Sequence, residues 1–296
     1  LSYEVTEAPS LMDTIVNIFP SNFIAPMSES NMLQVIVMAL IFGFSIILIG
    51  SEKNSRLVTA INDLNEVFMK SMELILKLSP IGVFCLLCPV IAANGSNIIA
   101  SLAMVLLTAY LCYVIHVAVV YSLAVKAIGG LSPLKFFKGM LPAMMFAFSS
   151  SSSVGTLPIN LECTEKLGSK REVASCVLPL VPTINMDGTA IYQGVCAIFI
   201  ASCYGISLTF PQMLTIVLTA TLASIGTAGI PSVGLVTLAM VLNSVGLPTE
   251  GIALIMGIDR ILDMLRTAVN ITGDAVCTTI VSHQEKALNR EVFNRN

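Results

Sequence analysis

From residue 173 to residue 258 the chain carries only two charged side chains, Asp187 and Glu250. A soluble domain has about one charged residue in four. A stretch this long and this apolar has to be surrounded by something other than water. The rest of the chain agrees: of its 296 residues, 55% are hydrophobic and 11% charged, and the mean hydropathy is +0.88. Further apolar runs lie at 31–50, 80–93, 98–125 and 251–281. This pattern disfavours a soluble enzyme and a disordered chain and implies an all-α membrane protein with several spans. With 15 Lys+Arg against 18 Asp+Glu, the charge balance also argues against nucleic acid as a partner. There is no Trp, so any aromatic belt at the bilayer surface must use Tyr and Phe.

Lysines and arginines cluster in 51–79, 126–138, 166–171 and 286–295, whereas segments 1–31, 93–98, 203–212 and 243–250 have none. The positive-inside rule puts the basic segments, and with them the C-terminus, in the cytoplasm. The expectation is a multi-pass protein of the cell membrane. Segment 139–165 is then flanked by basic residues on both sides, and segment 213–245 by Lys/Arg-free segments on both sides. Each has to enter and leave by one face. Their centres suit such re-entrant hairpins. Ser149 to Ser153 are five consecutive serines, followed by Gly155 and Pro158, and the second segment has Gly226, Gly229, Pro231 and Gly234. Broken helix at membrane depth is tolerated only where protein or a wet cavity surrounds it. Two hairpins entering from opposite faces point to a transporter with a midplane site. The glycines of the second make it the expected external gate.

The last span adds polar groups that lipid would reject. Asp259, Asp263, Arg266, Asn270 and Asp274 follow one another at spacings of 4, 3, 4 and 4 and so share one helix face. Each ionised group at the bilayer centre costs roughly 2.5–3.5 kcal/mol on the lenient insertion scale. The stripe must therefore pair internally or face a ligand path. A second cluster, Thr183-Ile184-Asn185-Met186-Asp187-Gly188-Thr189, interrupts the 173–203 span, and Pro182 and Gly188 argue for a locally unwound helix. Carboxylate, amide oxygen and free carbonyls suit a hard cation such as Na⁺, and neither cluster has transition-metal spacing. Of the cysteines, Cys85, Cys88, Cys112, Cys176, Cys196, Cys203 and Cys277 lie in or beside apolar runs and read as small core residues, while Cys163 sits in a more polar stretch. His116 and His283 are too far apart in sequence to suggest a pair.

Four stretches in order resemble the sodium-coupled dicarboxylate/amino-acid symporter family, which includes archaeal aspartate and animal glutamate transporters. They are Ser151–Pro158, Asn185-Met186-Asp187-Gly188-Thr189, the second hairpin from Ala223 to Val241, and Asp263-Met264-Leu265-Arg266-Thr267 with Asn270 and Asp274. The resemblance begins at the family's fourth span, so the chain reads as a fragment lacking the first three. It implies scaffold in residues 1–79 and a further scaffold span plus transport core in 80–296. It implies a homo-oligomer, a trimer in the family, and a symporter rather than an enzyme. By this resemblance, Arg266 and Thr189 hold a side-chain carboxylate, and Asp263 and Thr267 an amino group. Asn270 with the backbone around Ser152 and Ser153 holds an α-carboxylate, and Ile230 and Gly234 close over the ligand. Na⁺ is co-transported rather than a resident cofactor. Asp274 with Asn185 and Asn270 resembles one sodium site, and Thr183, Met186, Ser224, Ile225 and Thr227 a second. Asn185 and Asp187 resemble half of a third.

The chain departs from the family at three places. Ser151 and Met264 occupy the two positions where relatives carry a second arginine, and Arg260 stands one turn before Asp263. Val181-Pro182 replaces Gly-Ala. Gln193 replaces the Glu that animal members use for proton and potassium coupling, which favours coupling to sodium alone. The function expected is Na⁺-coupled symport of L-aspartate or L-glutamate by alternating access. A carrier of non-amino C4-dicarboxylates, proton coupling, an anion channel and an intramembrane serine enzyme stand as alternatives.

Overall fold

The computed structural model describes residues 19–28, 32–49, 51–76, 81, 84–85, 88, 97–225, 227, 229 and 232–295. Among these the chain is all-α, with one isolated bridge between Ser169 and Leu288. It separates into two compact units, Pro9–Ile99 and a larger one containing Ala100–Asn296.

The smaller unit holds α1 (Ala25–Ser28), α2 (Met32–Ile49) and α3 (Ser51–Leu76). Asn22 Oδ1 accepts from the amides of Ile24 and Ala25 at 3.0 and 2.7 Å, which satisfies two of the donors a helix start leaves free. Phe23 and Phe42 meet edge to face at 5.5 Å. α3 begins at Ser51 and runs through the basic segment 51–79 as far as Leu76. Most of the expected span at 80–93 lies outside the described residues.

α4 (Asn97–Ile115), most of which belongs to the larger unit, continues through two π-helical turns, His116–Tyr121 and Ala124–Ile128. Ala100–Ile128 is the helix among the described residues that is long and apolar enough to cross a membrane. α5 (Pro133–Ser150) and α6 (Ser153–Lys166) follow, then α7 (Arg171–Leu180), a 3-10 turn (Val181–Thr183) and α8 (Asp187–Cys203). α9 (Phe210–Ser224), α10 (Val233–Ser244), α11 (Ile252–Met256), α12 (Asp259–Gln284) and α13 (Arg290–Arg295) complete it.

The helix breaks fall where the residues forbid a ladder. Ser151 takes a left-handed conformation (φ 53°), and Ser152 is extended with its hydroxyl accepting from Gly155 N at 3.0 Å. Serine competes for the backbone in this way at helix ends. Pro182 lies in the 3-10 turn, after which residues 184–186 leave helical geometry. The last span is interrupted as well. α11 ends before Gly257, and α12 restarts at Asp259, so the polar stripe begins at a helix N-terminus.

α12 lies at the centre of the larger unit, where 17 of its residues are buried. The outer faces of other helices are apolar and exposed: Leu107, Leu111, Val217 and Leu134 are examples. That distribution corrects the reading of the cysteines. Cys163 and Cys196 are buried, but Cys85, Cys88 and Cys176 are exposed and Cys112, Cys203 and Cys277 are half-buried. In an apolar run of this chain, hydrophobic character does not require burial against protein, so burial cannot be read from it.

Candidate functional site

One turn of α12 gathers the first cluster. Arg266 is 2% exposed and Asp263 1%. Asp263 Oδ1 accepts from Arg266 Nε at 3.1 Å, Arg266 Nη2 at 2.6 Å and Thr267 Oγ1 at 3.1 Å. Its Oδ2 accepts from the amide of Ser232 at 2.7 Å, which ties the approach to α10 onto α12. The guanidinium lies over the Tyr192 ring, 4.7 Å from its centroid. The Tyr192 hydroxyl donates to Asp259 Oδ1 at 2.9 Å. A Cβ on Gly234 would overlap the guanidinium, so a larger residue here would have to push Arg266 aside. After all these contacts, Arg266 Nη1 still has no hydrogen-bond partner among the described residues. Folded proteins leave few buried donors in that state, and a charged one is the most expensive to leave. The position suits a ligand anion, which Arg binds through two parallel bonds.

The second cluster joins the unwound segment to the next turns of α12. Gly188 N donates to Asn270 Oδ1 at 2.8 Å, and a Cβ on Gly188 would stand 2.7 Å from the Arg266 carbonyl. Only glycine lets the two backbones come so close. Asn270 Nδ2 donates to Thr189 Oγ1 at 3.2 Å and meets Met186 Sδ at 3.4 Å. Asn185 Nδ2 donates to the Asn270 carbonyl at 3.2 Å and to Asp274 Oδ1 at 3.1 Å. Asp274 is fully buried, and its Oδ2 has no partner among the described residues. A buried carboxylate oxygen without a partner, beside an amide side chain that also reaches the Asn270 carbonyl, has the donor chemistry of an alkali-cation site.

The other expected ligand residues make contacts of their own. Asp187 Oδ2 lies 3.0 Å from His116 Nε2 and accepts from the Tyr121 hydroxyl at 3.1 Å. Ser224 and Thr227 bond back to Thr221 and Ala223 of their own chain segment at 2.8 and 2.7 Å, and Ile225 is extended. Thr183 lies in the 3-10 turn, and its side chain is outside the described residues, as is Ile230. Ser152 and Ser153 sit at the tip of the α5–α6 pair. There Ser152 Oγ and Val154 N both reach the Gly229 carbonyl at 3.4 Å, so the two breaker segments touch.

Sequence reasoning missed Tyr192, His116 and Tyr121. For Tyr192 a signal existed, since it lies one helical turn after Gly188 on the same face. His116 and Tyr121 lie far from Asp187 in sequence, and nothing in their own segment singles them out. Gln193 is fully buried and donates to Thr237 Oγ1 at 2.6 Å, linking α8 to α10.

Comparison with known proteins gives the chain a family. A family model described as the sodium:dicarboxylate symporter family matches residues 2–284. The chain is 42% identical over 260 residues to excitatory amino acid transporter 2 of Mus musculus, covering 87% of this chain and 45% of that protein. It is 34% identical over 281 residues to the proton/glutamate-aspartate symporter of Escherichia coli, covering 95% of this chain and 64% of that protein. The proton/sodium-glutamate symport protein of Bacillus subtilis is also 34% identical, over 280 residues, with 95% and 65% covered. The chain thus spans about half the length of the animal relative.

Proposed function

This chain belongs to the sodium:dicarboxylate symporter family, and from that premise we propose that it forms the transport core of an integral membrane symporter moving L-aspartate or L-glutamate with Na⁺. The observation that carries the reading is the buried Arg266–Asp263 pair with Nη1 left over. The pair neutralises itself, and a zwitterion with an acidic side chain can split it. The ligand's side-chain carboxylate takes the guanidinium, and its ammonium takes Asp263 with Thr267. A C4-dicarboxylate without an amino group would claim Arg266 and leave Asp263 as a buried uncompensated charge, which is strongly unfavourable. Asn270 and the tip at Ser152 and Ser153 receive the α-carboxylate.

For the driving ion we assign Asp274 with Asn185 and Asn270 to Na⁺. The names of both bacterial relatives include a proton; sodium alone is preferred here because Gln193 is a neutral amide where the animal members carry a Glu. The orientation is C-terminus inward, and assembly as a trimer follows the family.

The test is uptake of radiolabelled L-aspartate by the full-length protein in proteoliposomes. Uptake should require an inward Na⁺ gradient and be blocked by unlabelled L-glutamate. Uptake driven by a proton gradient without Na⁺ would refute the coupling, and transport of succinate with no transport of either amino acid would refute the substrate. Gly234→Ala offers a sharper check. Its methyl must displace the guanidinium, and overpacking of this kind costs about 1–3 kcal/mol. Aspartate affinity should fall roughly ten- to hundredfold in a binding titration.

A further inference from the structure

We infer that Arg260 is a positioning residue that fastens the tip of the α5–α6 pair to the last helix. Arg260 stands in the first turn of α12, where a cation opposes the helix dipole. Its exposed side chain turns instead to the opposite end of another helix. Nη2 donates to the carbonyl of Ser150, the last residue of α5, at 3.5 Å. Carbonyls at a helix C-terminus lack helical partners and favour positive charge. Immediately beyond, Ser151 holds a left-handed conformation that a side chain rarely adopts. The contact therefore sits one residue before the left-handed residue that turns the tip.

Further contacts join both tips to α12. Arg260 reaches Ser150, the tip reaches Gly229 through Ser152 and Val154, and Ser232 returns to α12 at Asp263. The Arg260 contact, at 3.5 Å, is about as long as the two contacts between the tips, 3.4 Å each, and differs from them in carrying a full charge. This deepens the transporter reading, from which it takes only the idea that the tip borders the ligand.

The experiment uses the full-length protein with native cysteines replaced and a single reporter, Val154→Cys, at a position 58% exposed. Its rate of reaction with a small thiol reagent is compared in Arg260, Arg260→Lys and Arg260→Gln backgrounds, with Val217→Cys on α9 as a remote control. Arg260→Gln should accelerate the reaction at residue 154 about fivefold, the scale of a partly exposed charge–carbonyl contact. Arg260→Lys should fall between the two, and the rate at residue 217 should not change. Equal rates at 154 in Arg260 and Arg260→Gln overturn the proposal. So does a Lys background that behaves like Gln, or an equal acceleration at 217. Absence of Na⁺-dependent aspartate uptake in the parent would defeat the transporter reading and leave these rate ratios intact.

Discussion

Arg266→Ala should lower the affinity for L-aspartate and L-glutamate at least a hundredfold, with neutral amino acids affected far less. The guanidinium is the cation buried beside Asp263, and its Nη1 is the donor left without a partner among the described residues. In so dry a setting, removing one member of an ion pair costs about 3–5 kcal/mol, and each factor of ten in affinity is about 1.4 kcal/mol. The substitution also leaves Asp263 with Thr267 and the Ser232 amide alone, so the thermal midpoint should fall too. Titration calorimetry on the folded variant with aspartate, glutamate and serine checks the prediction. Aspartate affinity equal to that of the parent would show that the acidic side chain is recognised elsewhere.

Asp274→Asn should raise the Na⁺ concentration for half-maximal uptake at least tenfold, while aspartate affinity at saturating Na⁺ changes less than about threefold. The carboxylate lies 0% exposed, with one oxygen bonded to Asn185 and the other unpaired among the described residues. An amide keeps the shape and loses the charge that draws a cation in. The stability effect should reverse with ionic conditions. Without Na⁺ the variant no longer buries an uncompensated charge, so it should melt higher than the parent. With Na⁺ the parent gains by binding the ion in the folded state alone, and the variant should show little of that gain. A Na⁺-dependent shift in melting that is the same in both proteins would place the ion at another site.

Helix breaks and the polar stripe were legible in the sequence because they depend on neighbours along the chain. Five serines before Gly155 cannot continue a helix without competing for its backbone. Pro182 cannot donate to the ladder. The spacing of Asp259, Asp263, Arg266, Asn270 and Asp274 aligns them on one face wherever α12 is placed. The interruption at Gly257 was not legible, because the apolar pattern runs through it unchanged. The cysteines misled for a related reason: apolar surroundings in sequence do not say whether a side chain faces protein.

What the sequence determined by itself was local: an all-α chain too apolar for water, the positions of the breaks, and a row of charges that must be compensated. Which groups compensate them was decided only by tertiary structure. Asp263 takes Arg266 from its own helix and the Ser232 amide from 31 residues away. Asp187 takes His116 and Tyr121, not the Asn185 beside it in sequence. The physical reason is range. Backbone conformation follows from a few adjacent residues, whereas a buried charge is satisfied by whichever polar atom packing brings within about 3 Å, and that atom can come from any part of the chain.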